Sequence, residues 1–392
     1  MRTAGIICEC NPFHGGHQYL IARARESGAD TVICVMSGCF VQRGDAAVLP
    51  PHLRAETLLC GGADAVLELP FPFSAASAEF FAAAGVDILD RLGVDELWFG
   101  SECGDVELLS RLSSVAESED FLADYGASVQ GSDGTAKGYL ERLQALAGED
   151  VTLSSNDILG VAYLRALRAK RSGMRPVTVK RQGSAYRDGK LTQGEYPSAT
   201  ALRRLWREEG LAAMLSHLPE ETRACYRHVD GAFADLAFAE RLILGHFRLT
   251  PPSELETVAE LGGGLGNRLA ECAKSAGSTD EFFSLAATKK YPNARLRRGV
   301  LFALTGIKSE DLRTSPAYVR LLAANARGRR FLAETRREQS LPVVTRRSDL
   351  PSNADALRQA EWERRAFSLY SLCLPKAQSE TDLWTRGAVI KK

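Results

Sequence analysis

Hydrophobic residues in the first 180 positions fall into short continuous runs. Thr3–Cys8, Thr31–Met36 and Ala65–Leu69 are such runs, and turn-forming or polar residues bound them. Continuous apolar runs of this length predict strands that are buried on both faces. Two further strands are predicted at Glu96–Phe99 and Val177–Lys180.

Stretches with helical spacing separate these strands. They lie near His17–Glu26, Leu53–Cys60 and Ser74–Arg91. Strands joined by helical crossovers predict an α/β fold with a Rossmann-like, doubly wound parallel sheet. After about Pro197 the β-rich runs stop, so we expect a C-terminal α-helical domain. The predicted domains are residues 1–204, with the sheet, and residues 205–392.

The charge of the chain is balanced overall but unevenly distributed. There are 49 basic and 49 acidic residues among 392, so the total predicts no partner. Between Cys60 and Tyr125 there are 14 acidic and 2 basic residues, whereas between Lys289 and Ser348 there are 15 basic and 4 acidic residues. This asymmetry suits one basic face for a polyanion, and it equally suits solvated helical surfaces.

The cysteines and the apolar runs indicate the cellular compartment in which we expect the protein. Nine cysteines occur without a CxxC pair or a disulfide-like framework, which favours a reducing environment. The first residues lack the layout of a signal peptide, and no apolar stretch approaches the ~20 residues that span a bilayer. We therefore expect a cytoplasmic protein with no membrane partner. The sequence contains no indication of its oligomeric state.

The first predicted strand leads into a glycine-containing turn that carries two histidines, His14 and His17. The first amides of a helix are unpaired and its dipole favours anions, so this turn predicts a phosphate-binding site. Glycine at positions 15 and 16 lets a nucleotide approach the backbone closely. We expect no metal, because the zinc motif HExxH spaces its histidines four apart with a glutamate between them.

The strand and the HGGH turn together resemble the HxGH signature of the nucleotidyltransferase superfamily. This superfamily includes class I aminoacyl-tRNA synthetases and small-molecule adenylyltransferases, and its members carry a second phosphate-binding motif later in the chain. Residues 198–203, SATALR, are similar to that motif. The hydroxyls of Ser198 and Thr200 and the guanidinium of Arg203 suit the β- and γ-phosphates.

Further stretches resemble one family, the bacterial tRNA(Met) cytidine acetate ligases. They are GIICECNPFHGGHQYL, VMSGCFVQRGDAAVL, ADAVLELPFPFS, LWFGSE, SSNDILGVAYLRAL, VKRQGSAYRD, SATALR and ATKKYPNARLRR. The resemblance implies an enzyme that couples acetate and ATP to form acetyl-adenylate. It then acetylates N4 of the wobble cytidine (C34) of elongator tRNA(Met). The acetate pocket, and whether Mg²⁺ accompanies the ATP, are left open by the sequence.

The same resemblance implies which residues bind ATP. His14 and His17 are expected to be catalytic, as cationic or hydrogen-bonding groups at the α- and β-phosphates. Asn156 has a second interpretation, because its place in SSND suits a helix N-cap, and the residues alone favour that cap. The expected ATP-binding residues are Ile7, Cys8, Glu9, Cys10, Asn11, Pro12, Phe13, His14, Gly15, Gly16, His17, Gln18, Tyr19, Leu20, Gly100, Asn156, Arg181, Ser198, Thr200 and Arg203.

Basic residues around Tyr291 are candidates for contact with tRNA. Cations interleaved with an aromatic ring suit phosphate contacts and base stacking. The predicted helix Thr288–Arg298 carries Lys289, Lys290, Arg295, Arg297 and Arg298. Arg43, in the loop FVQRGD, is a further candidate, and an ordinary surface arginine is an equal alternative.

The chain departs from the family pattern in the loop after the second strand and in the HGGH turn. Asp45-Ala46-Ala47 replaces the Glu-Pro-Ala run that we expect from the family. A few residues later the family usually has a lysine, and this chain has Pro51 instead. The family commonly has tyrosine and asparagine at the positions of Cys10 and Gly15. Because of these substitutions, the sequence does not predict the conformation of this loop.

Two other functions stay open for the sequence. A small-molecule adenylyltransferase would keep HGGH and SATALR but would have no use for a strongly basic helical segment. A nucleotide-sensing RNA-binding protein without turnover is the second alternative, and the intact His14, His17 and hydroxyl-arginine motif argue against it.

Overall fold

The structure is a computed structural model that describes residues 1–123, 136–148, 153–182, 196–227, 229, 233–336, 339–379 and 382–391. Within these ranges, strands from both halves of the chain form one sheet. They are β1 (Thr3–Cys8), β2 (Thr31–Ser37), β3 (Ala65–Leu69), β4 (Glu96–Ser101), β5 (Arg175–Lys180), β6 (Val319–Ala324), β7 (Val343–Val344) and β8 (Val389–Ile390).

The strand order is β5-β4-β1-β2-β3-β6-β7, and β8 pairs with β6. Strands β1 to β5 are parallel, whereas β6 is antiparallel to β3. The order reverses between β1 and β4, which is the switch point where doubly wound sheets bind ligands. The predicted α/β fold class with a mostly parallel sheet is confirmed.

Helices cover both faces of the parallel strands. They are α1 (Gly15–Glu26), α2 (Pro51–Cys60), α3 (Ala78–Arg91), α4 (Val106–Val115), α5 (Ala136–Ala147) and α6 (Ser155–Lys170). Side chains alternate along each strand, so Ile6 of β1 packs in the core with α1 and α2, and Ile7 packs in the core with α3, α4 and α6. Both faces of β1 to β4 are buried, which explains why these strands have continuous apolar sequences, whereas β5 at the sheet edge is partly exposed.

The remaining helices follow β5 in the chain. They are α7 (Ala199–Glu209), α8 (Leu211–Ser216), α9 (Glu220–Arg223), α10 (Glu240–Leu249), α11 (Pro252–Leu255), α12 (Leu265–Ser275), α13 (Thr279–Ala286), α14 (Asn293–Thr305), α15 (Ala326–Glu334), α16 (Ala354–Leu372) and α17 (Asp382–Thr385). Helices α10, α12, α13, α14 and α16 enclose a second hydrophobic core. In the described part of the chain, no helix has the length and apolar character needed to cross a membrane.

The expectation that strands stop after about Pro197 is wrong. Strand β6 lies inside the sheet, hydrogen-bonded to β3, and β7 and β8 pair with β6. Its sequence, VRLLAA, has a charged residue at its second position, which interrupts the apolar run that would have predicted a buried strand. The division at residues 204 and 205 stays a prediction.

A buried ion pair allows an arginine to lie within β6. Arg320 Nε donates to Glu68 Oε2 in β3 at 2.7 Å, and Arg320 Nη1 donates to the carbonyl of Leu383 at 2.8 Å. The guanidinium also lies over the ring of Trp384, 5.1 Å from its centroid. Both side chains of the pair are less than a tenth exposed, so each charge depends on the other.

Breaking this pair should destabilise the fold strongly. Arg320→Met leaves the Glu68 carboxylate buried without its partner, and we expect urea unfolding to show a loss of about 3–5 kcal/mol. Lys274→Met, which removes an exposed pair with Glu271, is the control and should change stability little. Equal effects of the two variants would contradict a structural role for the buried pair.

Candidate nucleotide-binding site

The two histidines of the HGGH turn cap the start of α1. His14 Nδ1 accepts a hydrogen bond from the amide of Gly16 at 3.0 Å, and His17 Nδ1 accepts one from the amide of His14 at 3.2 Å. The two ring centroids lie 4.0 Å apart. This reciprocal capping satisfies amides that a helix start otherwise leaves unpaired, and it orients both rings.

The capping bonds also determine which ring nitrogen carries the proton. Because each Nδ1 accepts a hydrogen bond, the proton of the neutral ring lies on Nε2, which stays a donor. Burial lowers the pKa of His17 to about 4 and holds the pKa of His14 well below its ordinary value, and the charge of Arg181 adds to both shifts. At neutral pH the two rings are therefore neutral hydrogen-bond donors, not cations.

The SATALR motif lies beside this helix start. Ser198 caps α7, and its hydroxyl accepts a hydrogen bond from the amide of Ala201 at 3.2 Å. Arg203 Nη1 donates to the carbonyl of Asn11 at 2.7 Å, and Nη2 donates to Thr200 Oγ1 at 3.1 Å. The structure thus brings the two predicted phosphate-binding elements together, although they are far apart in the chain.

Gly100, Asn156 and Arg181 meet at the carboxyl ends of β4 and β5. Glu102, which directly follows β4 and was not among the expected ATP-binding residues, joins them. Asn156 Nδ2 donates to Glu102 Oε1 at 2.6 Å, and Arg181 Nε lies 3.4 Å from the same oxygen. A Cβ at Gly100 would lie 3.2 Å from Arg181 Cγ, so the arginine stem covers the glycine. Ser154 is at the N-cap position of α6, and its amide donates to Asp157 Oδ2 at 2.9 Å, so the N-cap interpretation of Asn156 is wrong.

Gly15 is enclosed by an aromatic side chain. A Cβ at this position would collide with the ring of Tyr196, two residues before the SATALR motif. The ring of Tyr196 also lies 6.5 Å from that of Tyr19. In this chain a side chain at position 15 would therefore require Tyr196 to move.

The loop FVQRGD, whose conformation the sequence left open, forms a tight hairpin. Phe40 and Ala46 pair as an antiparallel bridge across it. Gly44 has a φ of +77°, and a Cβ there would lie 2.5 Å from Arg297 Cβ in α14. Arg297 Nη1 donates to Asp45 Oδ1 at 2.9 Å. This hairpin is therefore tied to α14 by a close backbone approach and by an ion pair.

Three of the predicted tRNA-binding arginines have partners within the protein. Arg298 Nε donates to Glu260 Oε1 at 2.9 Å, and Arg295 Nε lies 3.6 Å from Glu260 Oε2. Arg297 pairs with Asp45. These contacts indicate that part of the basic cluster holds α14 in place.

The rest of the basic cluster is more accessible. Lys289 and Arg43 are exposed, whereas Lys290 is half-buried with Nζ 5.4 Å from the ring centroid of Tyr291. Tyr291 itself is buried, and its hydroxyl donates to the carbonyl of Gly263 at 2.7 Å. The helix predicted from Thr288 begins at Asn293 instead, because the proline at 292 disfavours helical geometry in the residue before it.

Sequence reasoning also missed Arg54, which is fully buried beneath the strand tips. Its Nε donates to the carbonyl of Leu49 at 3.0 Å and its Nη1 to the carbonyl of Glu9 at 2.7 Å, while Nη2 donates to the carbonyl of Gly38. Glu9 follows β1 and Gly38 follows β2, so one guanidinium positions both tips. An arginine on the apolar face of α2 was the available signal in the sequence.

The fold and this site define a nucleotide-binding protein of the transferase type, with a histidine-capped helix start at the tip of the first strand. A family model described as HIGH Nucleotidyl Transferase matches residues 1–383.

Curated relatives and solved structures extend the match. A relative from Syntrophotalea carbinolica named tRNA(Met) cytidine acetate ligase is 33% identical over 96% of this chain and 95% of its own length. One of the same name from Listeria monocytogenes is 34% identical over 95% of each. Crystal structures of Thermotoga maritima TmcAL, apo and bound with alpha-thio ATP, are 30% identical, cover 100% of this chain and 99% of theirs, and give TM-scores of 0.89 and 0.88. The chain belongs to the HIGH nucleotidyltransferases and, among them, to the tRNA(Met) cytidine acetate ligase family.

We expect both site histidines to be neutral at pH 6, with the proton on Nε2. Nitrogen-15 NMR of the imidazoles should show this tautomer, and His17 should titrate at about 4. The unfolded chain takes up these protons near pH 6.5, so the contribution of the rings to stability is present above about 6.5 and is lost as the pH falls through the folded values. A midpoint near 6.5 in the folded protein would contradict the burial of the rings, and a proton on Nδ1 would contradict the capping geometry.

Proposed function

We propose that the protein is an ATP-dependent ligase that forms acetyl-adenylate and acetylates N4 of the wobble cytidine of elongator tRNA(Met). The observation that carries the proposal is the pair of neutral imidazole donors at the start of α1, with Arg203 beside them. Relatives named for this activity align over 95% or more of the chain, and the alpha-thio ATP complex of TmcAL supports ATP as the nucleotide.

In the first step, a carboxylate oxygen of acetate attacks the α-phosphorus of ATP. The bond from this phosphorus to the bridging oxygen breaks, and pyrophosphate leaves. Negative charge builds on the phosphate oxygens, and fixed donors in a buried site stabilise it. We assign this role to Nε2–H of His14 and of His17, which need no proton transfer to serve it. Ser198, Thr200 and Arg203 would hold the departing β- and γ-phosphates.

The nucleoside is proposed to lie on the other side of the switch point. Gly100, Asn156 and Arg181 meet there at the ends of β4 and β5, and Glu102 orients the two side chains. In the second step, N4 of the cytidine attacks the acetyl carbonyl, the bond from that carbon to the AMP oxygen breaks, AMP leaves and N4 releases one proton.

The tRNA must reach the strand tips for this second step. The hairpin that carries Arg43 follows β2, and the contact of Gly44 and Asp45 with Arg297 places it against α14. We propose that Arg43 and Lys289 contact the phosphate backbone of the tRNA, with Lys290 nearby. We also assign Arg295, Arg297 and Arg298 to the tRNA interface. Their ion pairs with Glu260 and Asp45 hold α14 in place as well.

We expect exchange of labelled pyrophosphate into ATP to require acetate but not tRNA. His17→Ala should lower this exchange at least ~100-fold, the loss typical of removing a fixed donor. His17→Glu keeps an acceptor for the amide of His14, so it should retain the thermal stability of the wild type while losing exchange.

Other outcomes of the exchange experiment would favour the alternative functions. Stable attachment of AMP to a metabolite would identify a small-molecule adenylyltransferase. ATP binding without any exchange would indicate a nucleotide sensor. Normal exchange by His17→Ala would remove the imidazole from the mechanism.

Reversing the two exposed charges should separate tRNA binding from adenylate formation. Arg43→Glu combined with Lys289→Glu should lower tRNA affinity about tenfold and reduce the slope of log affinity against log salt by about 2, because two phosphate contacts are lost. Exchange without tRNA should be unchanged. Lys274→Glu, a reversal of another exposed lysine, is the matched control. Unchanged affinity of the double variant would exclude these residues from the tRNA interface.

A further inference from the structure

Three hydroxyl groups are buried near the carboxyl ends of the strands without a hydrogen-bond partner among the described residues. They belong to Ser37, Ser74 and Tyr163. The two serines are 0% exposed and the tyrosine is 2% exposed. Buried polar groups are nearly always paired, because an unpaired one loses its bonds to water without replacement. Three such hydroxyls beside a candidate active site point to a ligand with hydrogen-bond acceptors.

Strand register places Ser37 next to the phosphate-binding stretch. Strands β1 and β2 pair in register up to Cys8 and Met36, so Ser37 lies beside the residue that follows β1, Glu9. Side chains alternate along β2, and Ser37 is therefore on the same face as Val35, which packs in the core with α3 and α6.

The other two hydroxyls belong to elements on this face. Tyr163 lies in α6, with its ring 5.5 Å from that of Phe99 in β4. Burial raises the pKa of Tyr163 well above its ordinary value, and the nearby Cys8 and Glu9 raise it further, so the phenol keeps its proton. Ser74 lies in the 3-10 turn Phe73–Ala75, which packs against β2.

We infer that the hydroxyls of Ser37, Ser74 and Tyr163 form the acetate subsite, an inference that rests on the ligase function proposed above. They donate hydrogen bonds to the carboxylate and leave a lone pair of one oxygen free to attack the α-phosphorus. A carboxylate has two oxygens with about four acceptor positions, so three donors do not saturate it.

The surroundings of this subsite suit a small anion with one apolar end. Ile7 is on the same face and packs closely against α3, since a Cβ at Gly85 would lie 2.6 Å from Ile7 Cδ1, and we assign its apolar side chain to the contact with the methyl group. Glu9 is the carboxylate that the strand register places beside Ser37. Its Oε1 accepts a hydrogen bond from the amide of Gln42 at 2.8 Å. The guanidinium of Arg54 lies behind the strand tips.

Removal of these hydroxyls should affect acetate and not ATP. In the acetate-dependent exchange assay on the full chain, Tyr163→Phe and Ser37→Ala should each raise the KM for acetate about 10-fold or more, the effect of losing one hydrogen bond to a charged group. The KM for ATP should stay within about twofold of the wild type. Thermal stability should not fall, because the hydroxyls have no partner in the protein to lose.

Tyr226→Phe provides a matched control. The hydroxyl of Tyr226 is also buried without a partner among the described residues, but its ring packs in the cluster around Leu202 and Trp206 of α7. We expect this variant to leave both KM values unchanged.

Several results would overturn the inference. Unchanged KM for acetate in both variants would exclude the hydroxyls from the subsite. A parallel rise in the KM for ATP would assign them to the nucleotide. Lower stability with unchanged KM would indicate that they bind ordered water. If the wild type shows no acetate-dependent exchange at all, the proposed function itself fails, which is a different result from any of these.

Discussion

The site depends on a positive charge buried beneath it. Arg54 binds three backbone carbonyls, those of Glu9 and Gly38 at the ends of the first two strands and that of Leu49 before α2, and no carboxylate in the described part of the chain forms an ion pair with it. Such a charge is costly to bury, and the carbonyls offset part of the cost. The remaining positive field lies under the stretch that is proposed to bind phosphates. One guanidinium therefore both positions the strand tips and favours an anion above them.

The histidines of the HGGH turn depend on the position of those tips. Each ring uses Nδ1 to cap the helix and keeps Nε2 as a donor, so its orientation is established by the backbone before any substrate binds. Burial keeps the rings neutral, and a neutral ring has one acceptor and one donor, as this double use requires. The same two side chains thus serve the local fold and the proposed chemistry.

Local patterns in the sequence predicted much of the fold. The bounds of β1 (Thr3–Cys8) and β3 (Ala65–Leu69) are confirmed, because strands buried on both faces have unbroken apolar sequences. Strand β6 was missed because Arg320 interrupts its apolar run. The glutamate that neutralises this arginine, Glu68, lies about 250 residues earlier in the chain. A partner at that distance has no signature in a short window of sequence.

In the candidate site, too, local motifs were predictable from the sequence and contacts between distant segments were not. The HGGH and SATALR motifs are local, and both predicted a phosphate-binding helix start. Glu102, Arg54 and the pairing of Asp45 with Arg297 are contacts between distant segments, so only the folded structure reveals them. The accessibility of the basic cluster was likewise invisible, because charge counts do not distinguish a free lysine from an arginine paired with Glu260.

The position of β6 has a consequence for how the protein is made. Strand β3 leaves the ribosome about 250 residues before the antiparallel strand that covers its edge. At roughly 5–20 residues per second, that edge stays unpaired for about 10–50 s on every nascent chain. An uncovered apolar strand edge is a template for pairing with other chains. The helices and turns between β3 and β6 therefore fold, during synthesis, alongside a sheet that still lacks one of its inner strands.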